Sequence, residues 1–350
     1  MTVEALELRQ VSLPLLEPFR TATGSHEVVE KLLVHVMTSE AEGWGECPVG
    51  LGPGSLDSVD DAWDALRHGE AVALPPPAAG ALEVARLDAE LRATGVSLAS
   101  RLGATRTAVD AGVAVGIASS IPALLDEVGR RTSEGYRRVK LKIEPGWDVE
   151  AVAAVRDRFG ADLALQVDGN GAYSLDDADH LAELDRLGLL MLEQPLPADD
   201  LDGHAELARR VRTPVCLDES ITSEADLEIA LTLGACSIVN VKPARLGGLL
   251  AAKRVHDRCI ERGVAVWCGG MLETGIGRAA NLALAALPGF TLTGDLSASD
   301  RYFESDLTAP FVLADGQLRV PDGPGTGVEP LPDVLDAVTT RRVAPSRPIG

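Results

Sequence analysis

The sequence predicts an α/β protein: a parallel βα barrel that carries the chemistry, accompanied by a smaller α+β domain. Between Val139 and Lys242, five short apolar runs of strand type each end in a charged residue: Lys142, Asp168, Glu193, Asp218 and Lys242. These charges recur about every 25 residues, the length that one strand and one returning helix need. The intervening stretches read as amphipathic helices bounded by turns. In such a barrel the C-terminal strand ends converge on one face, so the five charges become one site.

Taken in order, residues 3–16 and 31–47 alternate apolar with polar residues, as strands of a half-buried antiparallel sheet do. PFRTATGSHE between them reads as a mobile surface connection, flexible at Gly24, and on residue type alone Phe19 suits a packing position at a strand end. VGLGPGSLDSVDDAW and the Pro-rich residues 74–80 read as turns and connectors. From Gly80, Leu82, Ala85, Leu87 and Leu91 fall at helical spacing, and Gly95 is placed to stop that helix. SLASRLG repeats the pattern on a smaller scale. Residues 1–107 are therefore expected to form the α+β domain.

The barrel is expected over residues 108–305. AVDAGVAVGI opens it, because small and β-branched residues suit a crowded inner strand. RRVKLKI, ALQVD, LLMLE, PVCLD, CSIVNVK and VAVWCGG continue it, and FTLTGD supplies an eighth strand ending at Asp295. DDADHLAELDRLG and LLAAKRVHDRCIERG read as helices with their charges on one side. After Ser305 the pattern changes. FVLADGQLRV reads as a hairpin turning at Asp315 and Gly316, and residues 306–350 are expected to pack back on the first domain and complete it. PDGPGTGVEP lacks the Lys-Ser or Lys-Thr and the helix of a phosphate loop.

With 350 residues, 46% of them hydrophobic, the chain can bury a large core. Its 32 Lys and Arg against 53 Asp and Glu give a net charge of −21, which argues against nucleic acid and anionic membrane as partners. The five cysteines lie far apart and form no CxxC, which points to a reducing, cytoplasmic setting and not to a disulfide framework. No apolar run reaches the roughly 18 residues of a membrane span, and no export signal is read at the N-terminus.

Asp168, Glu193 and Asp218 would stand side by side at the barrel mouth. Three anions held together need raised pKa values or a cation, and an all-oxygen set suits a hard ion, Mg²⁺. Lys140 and Lys142 are two residues apart, so in a strand both face the interior, while Val139, Leu141 and Ile143 face the helices. Two neighbouring ammonium groups beside a dication are expected to depress each other's pKa, making one a credible base. Lys242 lies across the barrel and addresses the opposite face of a bound carbon. Such a set is suited to removing a proton α to a metal-bound carboxylate, a small-molecule substrate, with Lys140 helping to hold the enolate's charge.

The motifs also carry a family resemblance. KLKIEPGWD, VDGNGAY, LLMLEQPL, CLDES, NVKPARLGG, VWCGGMLETGIGRAANLALAALP and GDLSASDRYF resemble the enolase superfamily, and within it the o-succinylbenzoate synthase and N-succinylamino acid racemase family. PFRT, EGWGEC and ALEVARLDAEL extend the likeness into the first domain. The resemblance implies a capping domain over a TIM-like (β/α)₇β barrel, Mg²⁺ on Asp168, Glu193 and Asp218 with Mn²⁺ able to substitute, and an acid/base pair Lys142 and Lys242. It further implies that Asn170 and Lys140 touch the substrate carboxylate or metal-bound groups. Gly269, Gly270, Met271 and Leu272 would line the pocket for a succinyl chain, and Phe19 with the loop to Gly24 would close over it.

Two activities are implied: dehydration of a cyclohexadiene carboxylate to o-succinylbenzoate, a step of menaquinone biosynthesis, and racemisation of N-succinyl or other N-acyl amino acids. Arg245 matches a position that the racemase-capable branch tends to fill with Arg. A homo-oligomer is expected. The stretch from Cys47 to Gly80 is shorter than usual for the family, and Ala114 stands where relatives can carry Ser. Dipeptide epimerase is the alternative, but that family usually carries Asp-x-Asp on strand eight, where this chain has Asp295, Leu296 and Ser297.

Overall fold

Side-chain alternation produces three long strands at the start of the chain: β1 (Ala5–Thr21), β2 (Gly24–Met37) and β3 (Glu42–Val49). The computed structural model describes residues 2–52, 54–68 and 74–346. Residues 53 and 69–73 of the expected connector, and 347–350 of the expected tail, lie outside the described residues.

The connection expected to be a mobile loop is strand almost throughout. Phe19 pairs with His26, Arg20 with Ser25 and Thr21 with Gly24, leaving a turn of two residues, and a register shift between Pro14 and Phe19 bends the ladder. The Arg20 carbonyl is turned the other way and accepts from the Ile117 N–H at 2.9 Å, which ties the hairpin to the segment after the first barrel strand. The stretch 31–47, expected to be strand, falls in β2 and β3 on either side of a turn, where the Thr38 hydroxyl donates to the Ala41 carbonyl at 2.7 Å.

A helix from Pro76 to Thr94 packs on this sheet. It begins with prolines, whose missing N–H groups cost nothing in a first turn, and stops at Gly95, which adopts φ 71°. Ala78, Ala81, Ala85 and Ala89 form a small-residue stripe in the core of the antiparallel sheet. Val84, Leu87 and Leu91, on another face, join the larger barrel core. Close approach is possible because β3 offers glycines: a Cβ on Gly45 would lie 1.9 Å from the Ala81 carbonyl oxygen, and one on Gly43 2.2 Å from that of Ala85.

The rest of the chain alternates strands with helices. β4 (Ala108–Asp110) is followed by β5 (Gly112–Val115), β6 (Arg138–Lys142), β7 (Leu165–Asp168), β8 (Leu192–Glu193), β9 (Val215–Leu217), β10 (Ile238–Val241) and β11 (Ala265–Cys268). β5 to β11 form one parallel sheet in chain order. The expected eighth strand is reduced to a single bridge between Ala111 and Gly294. The Asp295 N–H donates to the Cys268 carbonyl at 3.1 Å and the Gly112 N–H to the Gly294 carbonyl at 3.1 Å, so this segment touches both edges of the curled sheet. The ladder stops there because the Ser297 hydroxyl takes the Gly112 carbonyl at 2.9 Å, where a strand would use a backbone N–H.

DDADHLAELDRLG is not one α-helix but a single α-turn between two 3₁₀ segments. Its buried residues Ala178, Leu181, Leu184 and Leu187 recur every third position, the period of a 3₁₀ helix. LLAAKRVHDRCIERG is helical over Leu249–Glu261. The turn at Asp315 and Gly316 is present, with φ of 50° and 73°. Beyond it, however, β12 (Gln317–Arg319) pairs with β4, and only Ala314 bridges back to Gln317. β13 (Thr339–Ser346) returns to β1, giving the antiparallel order β13-β1-β2-β3. Among the described residues, no helix is long and apolar enough to cross a membrane.

Candidate active site

Parallel register sets the charged strand ends side by side, Lys142 beside Asp168 and Asp168 beside Glu193. Val139, Leu141 and Ile143 enter the core that the helices cover, which turns Lys140 and Lys142 inward. Asp168, Glu193 and Asp218 are wholly buried. Directly after these strands the backbone is forced into an unfavourable region: Asn170, Gln194 and Leu272 have φ of 44°, 35° and 52°. Gln194 is held there by its own amide. Its Oε1 accepts from the Asp218 N–H at 2.9 Å and the Ser220 N–H at 3.2 Å, and its Nε2 donates to the Ser220 hydroxyl at 2.8 Å.

Each carboxylate meets a cation. Lys140 Nζ lies 3.0 Å from Glu193, 3.1 Å from Asp168 and in close contact with Asp295, and 5.0 Å from the centre of the Trp267 ring. Lys142 Nζ donates to Asp168 Oδ2 at 2.6 Å and to Asn170 Oδ1 at 2.8 Å. Lys242 Nζ donates to Asp218 Oδ2 at 2.7 Å. Arg245 donates to the Asp218 carbonyl at 2.6 Å and to its Oδ1.

The titration behaviour follows from burial set against these partners. Burial opposes the charge on Lys140, yet Asp295, Glu193 and Asp168 outweigh it and hold this amine well above the ordinary lysine range. Acids outnumber cations around Lys140. Burial also favours the neutral forms of Asp168 and Asp218. For Asp168, Lys142 and Lys140 prevail, and for Asp218, Arg245 and Lys242 prevail, keeping both below the usual carboxylate range. Glu193 goes the other way: burial and the Asp168 anion push it up to about 8 despite Lys140. Lys242 is raised, since Asp218 overcomes both its burial and the repulsion of Arg245.

Among the described residues, no three His, Cys, Asp or Glu side chains are drawn together closely enough to grip an ion as they stand. The reason is that Lys140 lies between Asp168 and Glu193, while Lys242 and Arg245 hold Asp218. The donor set still fits a hard divalent cation. It is all oxygen, it sits at neighbouring strand ends, and burial together with the Asp168 anion raises the pKa of one member, Glu193. Glu219 adds a fourth buried acid whose Oε2 has no hydrogen-bond partner.

A cavity opens to solvent above the strand ends, with about 830 Å³ of empty space counted together with its mouth. Phe19, Lys140, Lys142, Asn170 and Lys242 line it, as do Gly270, Met271 and Leu272. Gly269 instead faces a second cavity of about 540 Å³, which shares Lys242, Met271 and Glu273 with the first. Its Cβ would lie 2.2 Å from Asn240 Oδ1 and 2.8 Å from Lys242 Cε, so glycine there makes room for the lysine. Arg245 is buried beneath, against Asp218, and does not line the main cavity. Residues missed in the sequence also line it: Glu219, Glu273, Arg278, Asp295, Ser297 and Tyr302. Asp295 had the signal, since it ends the eighth apolar run, and Glu219 directly follows a selected acid in CLDES. Glu273, Arg278 and Tyr302 end no strand and carry no such mark.

Residues 123–334 match the family model described as enolase C-terminal domain-like. The chain is 54% identical to an N-succinylamino acid racemase of an Amycolatopsis species, covering 98% of this chain and 99% of that one. It is 43% identical to an o-succinylbenzoate synthase of Geobacillus stearothermophilus, covering 94% of each. A crystal structure of an enolase-superfamily member from Listeria innocua superposes with a TM-score of 0.89 at 36% identity over 98% of both chains. The chain is thus an enzyme of the enolase superfamily, belonging to its o-succinylbenzoate synthase and N-succinylamino acid racemase family.

Proposed function

We propose that the protein removes and returns the proton α to the carboxylate of an N-succinyl or other N-acyl amino acid, with Lys142 and Lys242 as the two bases. One observation carries this reading: Lys142, at the end of β6, and Lys242, directly after β10, line a single cavity, and each is paired with a buried carboxylate that does not itself line it. Each amine is aimed by an acid, Lys142 by Asp168 at 2.6 Å and Lys242 by Asp218 at 2.7 Å. The proton taken by one amine leaves an enolate carbon open to the other on its opposite face.

Asp168, Glu193 and Asp218 hold one Mg²⁺, or Mn²⁺ in its place, which when bound supplies charge stabilisation for the substrate carboxylate as its α-proton leaves. Lys140, whose pKa Asp295, Glu193 and Asp168 raise against its burial, serves as a fixed cation beside the developing charge. Asn170 holds Lys142 through its Oδ1. Arg245 positions Asp218 and, through it, Lys242. Phe19, on the β1–β2 hairpin over the cavity, excludes water from the reacting carbon. The working enzyme is a cytoplasmic homo-oligomer.

Dehydration of a cyclohexadiene carboxylate to o-succinylbenzoate uses the same residues, with one lysine as base and acid and the other as a cation, and the relatives' names support both activities. Epimerisation of dipeptides is disfavoured. Asp295 is occupied by Arg138 at 2.5 Å, and Ser297 donates to the Gly112 carbonyl, so neither offers a free carboxylate to a substrate ammonium. The deciding assay compares kcat/KM for the cyclohexadiene precursor with that for a panel of N-succinyl and N-acetyl amino acids. Turnover of neither class would reject the proposal.

A further inference from the structure

The cap sheet carries a buried ion pair that the chemistry above does not use. Lys31 on β2 and Glu46 on β3 have side chains 0% and 1% exposed, with Nζ 3.8 Å from Oε1. A cap needs no buried charges to pack on a barrel, and removing two ions from water opposes folding. Both groups are spent on one segment after β11. Lys31 Nζ donates to the Met271 carbonyl at 2.8 Å. Glu46 accepts from the Thr274 N–H at 3.1 Å, the Thr274 hydroxyl at 2.5 Å and the Gly277 N–H at 3.1 Å, which covers the start of the helix Gly275–Ala285.

Between these two attachments lies Leu272 at φ 52°, a conformation that a leucine adopts only when its surroundings impose it. The same segment is held from the barrel side as well: Glu273 Oε1 accepts from the Met271 N–H at 2.5 Å, and Arg278 donates to the Glu273 carbonyl at 2.7 Å. Met271 and Leu272 form part of the cavity wall, and Met271 also separates it from the second cavity.

We propose that Lys31 and Glu46 are positioning residues for acyl-group specificity, clamping Met271 to Thr274 from the cap so that this wall accepts one acyl chain of an N-acyl amino acid over another. The inference rests on the proposed function for the identity of the substrate, but not for the clamp itself. Neither residue lines the space above Lys142, and Glu46 borders only the second cavity, which Lys242 also touches.

The test uses Lys31→Met with Glu46→Gln, which removes both charges while keeping shape and leaves no ion buried alone. Two quantities are read on the full-length protein: amide hydrogen exchange across residues 270–274, and kcat/KM for the N-succinyl and N-acetyl forms of one amino acid. Exchange is expected to quicken about tenfold or more, and the succinyl-to-acetyl ratio to change about tenfold or more, carried by KM with kcat largely kept. Wild-type exchange and a wild-type ratio in the folded variant would overturn the proposal, as would equal losses of kcat on both substrates. If the double variant does not fold, Glu46→Gln alone, which keeps an acceptor oxygen for Thr274, is read by the same criteria. If the wild-type protein turns over neither substrate, the proposed function fails, and unchanged exchange would then reject the clamp independently.

Discussion

Arg245→Gln separates the two activities that the site can support. Asp218 holds two cations, Lys242 at 2.7 Å and Arg245, whose guanidinium also donates to the Asp218 carbonyl. Asp218 raises the pKa of Lys242, and Arg245 acts against it. Replacing Arg245 by a neutral side chain removes that opposing charge, so Lys242 becomes a weaker source of neutral amine. The neutral fraction of Lys242 near pH 7 therefore falls. Racemisation, in which Lys242 must accept a proton from one enantiomer, should fall with it, up to the about 10²–10⁴-fold that a general base contributes. The deficit should shrink as pH rises, because a base of raised pKa recovers at higher pH. Dehydration needs only the charge of Lys242 and should lose much less. Initial rates of both reactions across pH 6–10 provide the measurement, with thermal unfolding to establish that the variant is folded. Equal losses in the two reactions, or a loss that does not vary with pH, would assign Arg245 to holding Asp218 alone.

Three other outcomes are expected. Exhaustive chelation should abolish turnover and added Mg²⁺ should restore it, whereas full activity after metal removal would contradict the role given to Asp168, Glu193 and Asp218. Phe19→Ala, which opens the cavity at the β1–β2 hairpin, should raise KM or shift substrate preference while leaving metal affinity unchanged in a calorimetric titration, and unaltered kinetics on several substrates would remove Phe19 from the site. Gly45→Ala places a methyl group 1.9 Å from the Ala81 carbonyl oxygen and should destabilise the protein by about 3 kcal/mol, seen as a lower Tm; a wild-type Tm would mean that the helix can move off the sheet cheaply.

The barrel strands were legible because each ends in a charge that an apolar strand would otherwise not carry. Period-two alternation then assigned the face: Lys140 and Lys142 inward, Val139 and Leu141 outward. The same logic was blind where side chains replace backbone. FTLTGD has the composition of a strand, but the Ser297 hydroxyl ends its ladder after one bridge, and nothing local to the segment signals that substitution. PFRTATGSHE carries Gly, Thr and Ser, the residues of a loop, yet cross-strand partners 3 to 7 positions away hold it extended from Phe19 to His26. Phe19 and Gly270 to Leu272 were anticipated from the family resemblance as lining the cavity, but Glu273 and Arg278 beside them were not. Glu273 and Arg278 act through contacts set by the chain's return from β11, and Lys31 reaches Met271 across 240 positions of sequence. Asp295, which lies against Lys140 and helps raise its pKa, comes from a segment 155 positions away in sequence and was not counted among its neighbours.

Proton exchange in ²H₂O with Lys142→Ala and Lys242→Ala tests the two-base geometry most directly. Loss of one general base costs about 10²–10⁴-fold, so neither variant should racemise an N-succinyl amino acid at an appreciable rate. Each should still exchange the α-proton of the single enantiomer whose hydrogen faces the remaining lysine. The two variants should therefore label opposite enantiomers, read by mass spectrometry after chiral separation. Labelling of the same enantiomer by both variants, or substantial racemisation by either, would contradict a site in which Lys142 and Lys242 stand on opposite faces of the reacting carbon.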